Sequence, residues 1–586
     1  MDDNQILIFN QPYFESKDIQ TLVTTDPYLG HSSYYYRPIQ SLSFLADVVI
    51  SGGLNAWMFH LTNILLFGMI GCLLFLLLLK FNVPNRVAFI GTLIFCVHPI
   101  FVTAAAWIPA RGDLLLSLFC ILSMIFLKMF IEKGGINNLV IVWLTFTLGL
   151  FCKETAAFLP ILFLVYFLMY APTRKITLPY ILLGVSISLS CFIWLYLRNF
   201  FAAPIEQVTL KNLFTNFLSI PVAFSQLIMF PIDYSPLPSF TITKVFVGIA
   251  VTTLILLLVY KKTKRTNKEL IFYLLWFFIL LIPNFLAFKK DRIDYIDHRF
   301  LLPMIGLLLF VLSIFPSSIK KDEKIRLIWL KDYIWVGVVI VLGIVSFYKT
   351  DVYRNPKSYY GAVVKFSPGN RSFAYNNLGW WKHNVIGDVR GAFDDYNEAI
   401  FYNNENAEAY NGRGILKAIK EDINGALEDF NKAILYNPTL SPAYVNRGHC
   451  RASINEALDD YNKAIELNNE NELAFLSRGL LYMQTGELHN SLSDFDDAIR
   501  LNGNFVDAYL SRAEVKSKMR NLNEAMFDIK SVLQIEPNNI RALLNRAVLY
   551  LELKDAEKAL QDCNRVLYIN PGNEQAIWIL NQIVQP

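Results

Sequence analysis

Between residues 57 and 349 the chain keeps returning to apolar runs long enough to cross a bilayer, and this limits what it can fold into. Inside a membrane the backbone must satisfy its own hydrogen bonds, so such runs have to be helices. A span takes ~20 mostly apolar residues. The stretches 57–79, 87–106, 114–131, 155–170, 178–197, 245–260, 269–287, 300–316 and 333–349 meet that need. The run 138–151 is short, and 213–231, interrupted by Pro221, reads as re-entrant or interfacial. Residues 351–586 are instead polar with a helical pattern, so an all-α chain with a membrane half and a soluble half is expected. The 54% hydrophobic content exceeds that of an ordinary soluble enzyme. A net charge of +4, with no basic tract carrying interleaved aromatics, argues against a nucleic-acid partner. The seven cysteines include no CxxC pair, so neither a zinc site nor a redox motif is expected.

Lysine and arginine orient the spans, because they are retained on the cytoplasmic side. Lys80/Arg86, Lys128/Lys133, Arg174/Lys175, Lys261–Arg265 with Lys268, and Lys320–Lys331 read as cytoplasmic loops. Parity then places residues 1–56, 107–113, 152–154, 198–244, 289–300 and the tail beyond 350 outside. Ionisable groups at membrane depth are costly and mark sites. The outer segments gather Asp2, Asp3, Arg37, His60, Asn63, His98, Arg111, Asp113, Lys153, Glu154, Arg198, Arg292 and His298 into an expected polar pocket. His60 and Asn63, three residues apart, share a helix face.

The soluble half is periodic. AYNNLG at 374, AYNGRG at 409, AYVNRG at 443, AFLSRG at 474, AYLSRA at 508 and ALLNRA at 542 recur at spacings of 35, 34, 31, 34 and 34. A 34-residue helix–turn–helix unit with small residues at fixed places is the tetratricopeptide pattern. Six repeats and a terminal helix fill 372–586, after a linker at 351–371. Arg413, Arg447, Arg478, Arg512 and Arg546 each precede Asp429, Asp460, Asp494, Asp528 and Asp562 by 16 residues, or 13 in the short repeat. The constant offset predicts an ion pair within each repeat. Asn377, Asn446 and Asn545 are placed for the inner face, where stacked repeats present a surface suited to extended peptide.

An ordered set of motifs carries a resemblance. DDNQILIFNQ at the start is followed by YYRPIQSLSF at 35–44, FHLTN at 59–63, FCVHPIFVTAAAWIPARGDLL at 95–115 and CKETAAFLP at 152–160. DYSP at 233–236 and DRIDYIDHRFLLP at 291–303 come later. This series, with the repeats, resembles the transmembrane O-mannosyltransferases that carry tetratricopeptide repeats. They belong to the GT-C class of polyprenyl-phosphate-dependent glycosyltransferases. The resemblance implies a polytopic GT-C-like domain over 57–350 followed by a repeat solenoid. It also implies an acidic pair in the first outer loop, 1–56, directly after a first membrane helix. Here that pair is Asp2 and Asp3, and a helix ahead of Met1 is expected to be missing from the sequence.

What the resemblance implies chemically is transfer of a sugar, mannose by analogy, from a polyprenyl-phosphate carrier to a protein serine or threonine hydroxyl outside the cytoplasm. A carboxylate, Asp2 or Asp3, would take the acceptor proton. Cations among Arg37, Arg111, Lys153, Arg292 and Arg299 would hold the departing phosphate. His60, Asn63, His98, Asp113, Glu154 and His298 complete the expected binding residues, and no resident metal or other cofactor is expected. The repeats would present the acceptor. The rival reading is a non-catalytic, membrane-anchored repeat scaffold for envelope or export assembly. A transporter is disfavoured, because duplicated halves with paired broken helices are not apparent.

Overall fold

The computed structural model describes residues 36–171, 178–201, 268–286, 297–314 and 325–584, with positions 246, 250 and 253, and these contain helices and no strand. The chain forms two compact units, Met1–Arg371 and Ser372–Pro586. In the first, α1 (Pro38–Ser51), α2 (Ala56–Lys80), α3 (Asn85–Val97), α4 (Val102–Ala106) and α5 (Arg111–Lys133) are followed by α6 (Ile136–Cys152), α7 (Leu159–Tyr170) and α8 (Leu178–Phe201). Then come α9 (Lys268–Leu286), α10 (Leu301–Ile314), α11 (Ile325–Val352) and α12 (Pro356–Phe366). The expected outer loop 1–56 thus contains a helix, and so does the expected linker. The expected segments 213–231 and 245–260 lie largely outside the described residues.

Among the described residues four helices are long and apolar enough to cross a membrane, and a fifth span arises if the α3 region counts as one bent segment. The bend, 49°, falls at His98–Pro99, where proline cannot donate to the helical ladder. The apolar core of this unit centres on large side chains from α9 and α10, including the fully buried Trp276, Phe272, Phe277 and Phe310. Gly306 lets those two helices meet. A Cβ there would lie 2.8 Å from both the Phe277 nitrogen and the Tyr273 oxygen, so no larger residue fits without parting the helices.

The second unit is the repeat array. Its A and B helices alternate as α13 (Arg371–Trp381) and α14 (Val389–Tyr402), α15 (Ala407–Ile419) and α16 (Ile423–Tyr436), and α17 (Ser441–Cys450) and α18 (Ile454–Leu467). They continue as α19 (Glu472–Thr485) and α20 (Leu488–Leu501), α21 (Val506–Lys518) and α22 (Leu522–Ile535), α23 (Ile540–Glu552) and α24 (Ala556–Ile569), and end in α25 (Glu574–Val584). Asparagine caps recur: Asn406, Asn471, Asn539 and Asn573 each accept from the backbone N–H three residues on. The small B-helix residues Ala399, Ala433, Ala464 and Ala498 are fully buried.

All five expected ion pairs are present, Arg413–Asp429, Arg447–Asp460, Arg478–Asp494, Arg512–Asp528 and Arg546–Asp562, at 2.5–2.7 Å. In the first repeat, where Leu378 replaces arginine, Lys382 reaches Asp395 at 2.7 Å instead.

The irregular spacings have local causes. The extra residue of the first repeat is taken up as a π-helical turn at Lys382–Ile386. The short third repeat trims its A helix, α17, to ten residues. It also lacks the left-handed residue that ends the A–B turn elsewhere, which is Gly387, Glu421, Gly486, Arg520 or Lys554. Three of those five positions carry a side chain that disfavours positive φ. Glycine at Glu421, Arg520 and Lys554 is expected to stabilise the array by up to ~1 kcal/mol at each position. Thermal unfolding of the single and triple variants checks this.

Candidate functional site

The up-and-down run of helices decides where the charges meet. Arg37 precedes α1, Asn63 lies early in α2, and Arg111 and Asp113 open α5. Lys153 and Glu154 follow α6, Arg198 sits in the last turn of α8, and Arg299 precedes α10. Starts of some helices and ends of others thus come to one end of the unit. Arg37 grips Glu154 in a two-pronged contact, Nε to Oε2 at 2.9 Å and Nη2 to Oε1 at 2.6 Å. Beside it the Lys153 ammonium donates to Asp113 Oδ2 at 2.5 Å. Burial pushes the Lys153 ammonium below its ordinary value while Asp113 pulls it back up, and the charges of Arg37 and Arg299 lower it further. A small depression next to this pair is lined by Asp113, Thr155, Leu280, Arg299, Leu302 and Pro303.

Arg111 belongs to a different cluster. It is completely buried, and Nη1 pairs with Asp47 Oδ2 at 2.5 Å. Nε donates to Asn63 Oδ1 at 2.8 Å, Nη2 to the Phe59 carbonyl at 2.7 Å and Nη1 to the Ser43 carbonyl at 3.2 Å. The guanidinium also sits over the rings of Phe44 and Phe59, 4.6 and 5.5 Å from their centroids. Asp47 accepts a hydrogen bond from the Thr62 hydroxyl at 2.6 Å, and Asn63 donates to the Trp107 carbonyl at 3.1 Å. Arg111 and Asp113, two residues apart at the head of one helix, therefore serve two separate clusters.

His60 is half-buried, whereas Asn63 on the same helix is fully enclosed by the Arg111 cluster. His98 lies at the bend after α3, where its Nδ1 accepts from the Ile100 N–H at 3.2 Å. Asp2, Asp3 and Arg292 lie outside the described residues, and His298 is in the turn Asp297–Phe300 with its side chain likewise outside them. Among the repeat asparagines, Asn377 donates to the Phe373 carbonyl of its own helix at 2.8 Å, and Asn446 donates to Asn411 of the preceding repeat at 2.9 Å. Asn545 is half-buried.

Two residues of the site region were not picked out from sequence. Asp47, the counter-charge of Arg111, lies in a stretch read as a loop. Lys349, fully buried in the last turns of α11, lies within electrostatic reach of His98. Around it α11 is pinned to the bend by Ser346, which donates to the Val97 carbonyl at 2.6 Å, and by the 2.7 Å contact between the Thr103 and Tyr353 hydroxyls. Its signal was a lysine at the end of an apolar run, which reads equally well as a span boundary. Among the described residues, no group of three or more histidine, cysteine or acidic side chains is arranged to hold a metal ion.

Comparison with known proteins bears on this unit and on the repeats separately. Residues 45–196 match the dolichyl-phosphate-mannose-protein mannosyltransferase family, and residues 453–486 and 540–573 match tetratricopeptide repeat families. The mouse protein O-mannosyl-transferase TMTC4 is 33% identical over 120 residues, 18% of this chain and 16% of that protein. Human protein O-mannosyl-transferase TMTC3 is 30% identical over 165 residues, 26% of this chain and 17% of that protein. Among solved structures, Pseudomonas aeruginosa pilF aligns with 37% of this chain and 99% of its own at 20% identity and a TM-score of 0.34. The aligned stretches thus span about a sixth of the length of these two mannosyl-transferases. By its motifs, its family match and its repeats, the chain resembles the O-mannosyltransferases over residues 45–196 and carries tetratricopeptide repeats.

Proposed function

We propose that this chain moves mannose from a polyprenyl-phosphate carrier to the hydroxyl of a serine or threonine in a protein, on the extracytoplasmic side, with the repeats holding the acceptor. The observation that carries the reading is the family match over 45–196, in the unit where Arg37, Asp113, Lys153, Glu154 and Arg299 meet at one end. In the reaction the acceptor oxygen bonds to the anomeric carbon as the bond from that carbon to the phosphate oxygen breaks. The bonding electrons leave with the lipid phosphate, and the hydroxyl proton passes to a carboxylate, Asp2 or Asp3. Attack opposite the leaving group inverts the anomeric centre.

The charged cluster suits the leaving group. Arg299 lines the depression, Lys153 is ion-paired to Asp113 in its lining, and Arg37 stays charged at any working pH. In the resting arrangement Glu154 and Asp113 occupy Arg37 and Lys153, and an incoming phosphate would compete with them. Arg111, spent on Asp47, Asn63 and two carbonyls, serves this reading by fixing α1 and α2 against α5. No resident metal takes part.

The test is transfer of radiolabelled mannose from synthetic polyprenyl-phosphate mannose to a serine- and threonine-rich peptide by the purified chain in lipid nanodiscs, with and without EDTA. Labelled peptide in both conditions supports the proposal. No transfer by a well-folded chain carrying any native segment ahead of Met1 would favour the scaffold reading.

A further inference from the structure

The repeat arginines do more than pair with their own aspartates. In four successive junctions the remaining nitrogen, Nη1, reaches back to the preceding repeat. Arg413 meets Asn397 at 2.7 Å, Arg447 meets Asn431 at 2.8 Å, Arg478 meets Asn462 at 2.7 Å and Arg512 meets Asp496 at 2.6 Å. The partner always stands 16 residues earlier. Each of these guanidiniums also lies over the ring three residues before it, Tyr410, Tyr444, Phe475 or Tyr509, at 5.4–5.8 Å from the centroid.

The junction between the fifth and sixth repeats departs on both counts. Arg546 keeps Asp562, with Nε and Nη2 each at 2.7 Å from a carboxylate oxygen. Three residues before it stands Leu543, and 16 residues before it stands Lys530, an exposed lysine. Where four junctions carry an oxygen-bearing side chain at this position, this one carries a lysine. Among the described residues Nη1 of Arg546 meets no acceptor. The position that carries the carboxylate of Asp496 one repeat earlier thus carries a cation here.

We propose that Lys530 and Nη1 of Arg546 form a carboxylate-binding subsite at the junction of the fifth and sixth repeats. Asp496 sets the size and geometry: a carboxylate fits this slot against an arginine Nη1 at 2.6 Å. A bound carboxylate would accept from Nη1, supplying the hydrogen bond the junction lacks, with Lys530 at the register position of Asp496 as a second cation for it. The carboxylate comes from an acidic side chain of a bound polypeptide or from a free small acid. Only the first source rests on the acceptor-holding role proposed for the repeats.

Hydrogen exchange of the full-length chain in detergent, read over residues 522–552, tests the subsite. The probes are a blocked Ser-Glu-Ser-Glu-Ser peptide, its glutamine counterpart, and glutarate at matched carboxylate concentration. The glutamate peptide is expected to slow exchange across the junction about two- to fivefold, the scale of a solvent-accessible ion pair, and the glutamine peptide to leave it unchanged. Protection by glutarate without protection by the glutamate peptide supports the subsite and assigns it to a free acid. Lys530→Asn, which restores the oxygen found at the other junctions, is expected to be slow without any probe and to respond to none. Lys530→Ala is expected to be neither protected nor responsive. Equal effects of the glutamate and glutamine peptides, or a response in Lys530→Asn equal to that of the native chain, would overturn the proposal. Because exchange is read rather than transfer, this outcome is independent of whether the chain moves mannose.

Discussion

Alanine at Asp47 is expected to destabilise the membrane unit by about 3–5 kcal/mol, the penalty for leaving a buried charge without its partner. Arg111 is completely enclosed, and its cation must then stay charged against apolar rings and carbonyls or draw water into the core. Asp47→Asn keeps one of the two acceptor oxygens, for either the Thr62 hydroxyl or Nη1, while removing the charge, so its loss should be smaller. The double variant Asp47→Leu/Arg111→Met removes both charges and should lose less than the sum of the two single changes. Thermal unfolding of the detergent-purified chain reads all of these. A loss below about 0.5 kcal/mol for Asp47→Ala, the size of an ordinary surface substitution, would show that the pair is not a structural keystone.

Mannosyl transfer is expected to fall at least about 100-fold in one of Asp2→Asn and Asp3→Asn, the lower end of what a positioned general base contributes. Asparagine keeps the size and hydrogen-bonding shape of the side chain and removes its basicity, so an unfolding temperature equal to that of the native chain should accompany the loss. The rate of labelled-peptide formation from polyprenyl-phosphate mannose is the readout. Undiminished transfer in both variants would remove the acidic pair from the catalytic step. The glutamates Asp2→Glu and Asp3→Glu separate chemistry from reach, because they keep the base and lengthen its arm by one methylene.

Much of the architecture could be read from sequence because it repeats. The Arg–Asp pairs of the solenoid were legible since both partners recur at a fixed forward offset, and the structure places all five. The backward contacts to Asn397, Asn431, Asn462 and Asp496 recur just as strictly. They were missed because the partner lies in another repeat and asparagine is common on exposed helices. Asp47 was hidden for a different reason. Its helix, Pro38–Ser51, is short and flanked by polar chain, so it read as part of a loop. Arg111 shows the limit of reading charge as function. A buried arginine at a helix end looks the same in sequence whether it awaits a phosphate or bridges three helices. Asn63 likewise turned out to be bound to that arginine and to the Trp107 carbonyl, with His60 apart from it.

The tolerance of the repeats to changes in length has a practical side. One residue gained in the first repeat and three lost in the third are both absorbed at the far end of an A helix, and each unit still closes its internal ion pair. That edge of the array is thus a seam where the chain can be cut and lengthened without disturbing its neighbours. Epitope tags, fluorescent reporters or crosslinkers grafted at Gly387, Glu421 or Gly486 should leave the stack intact.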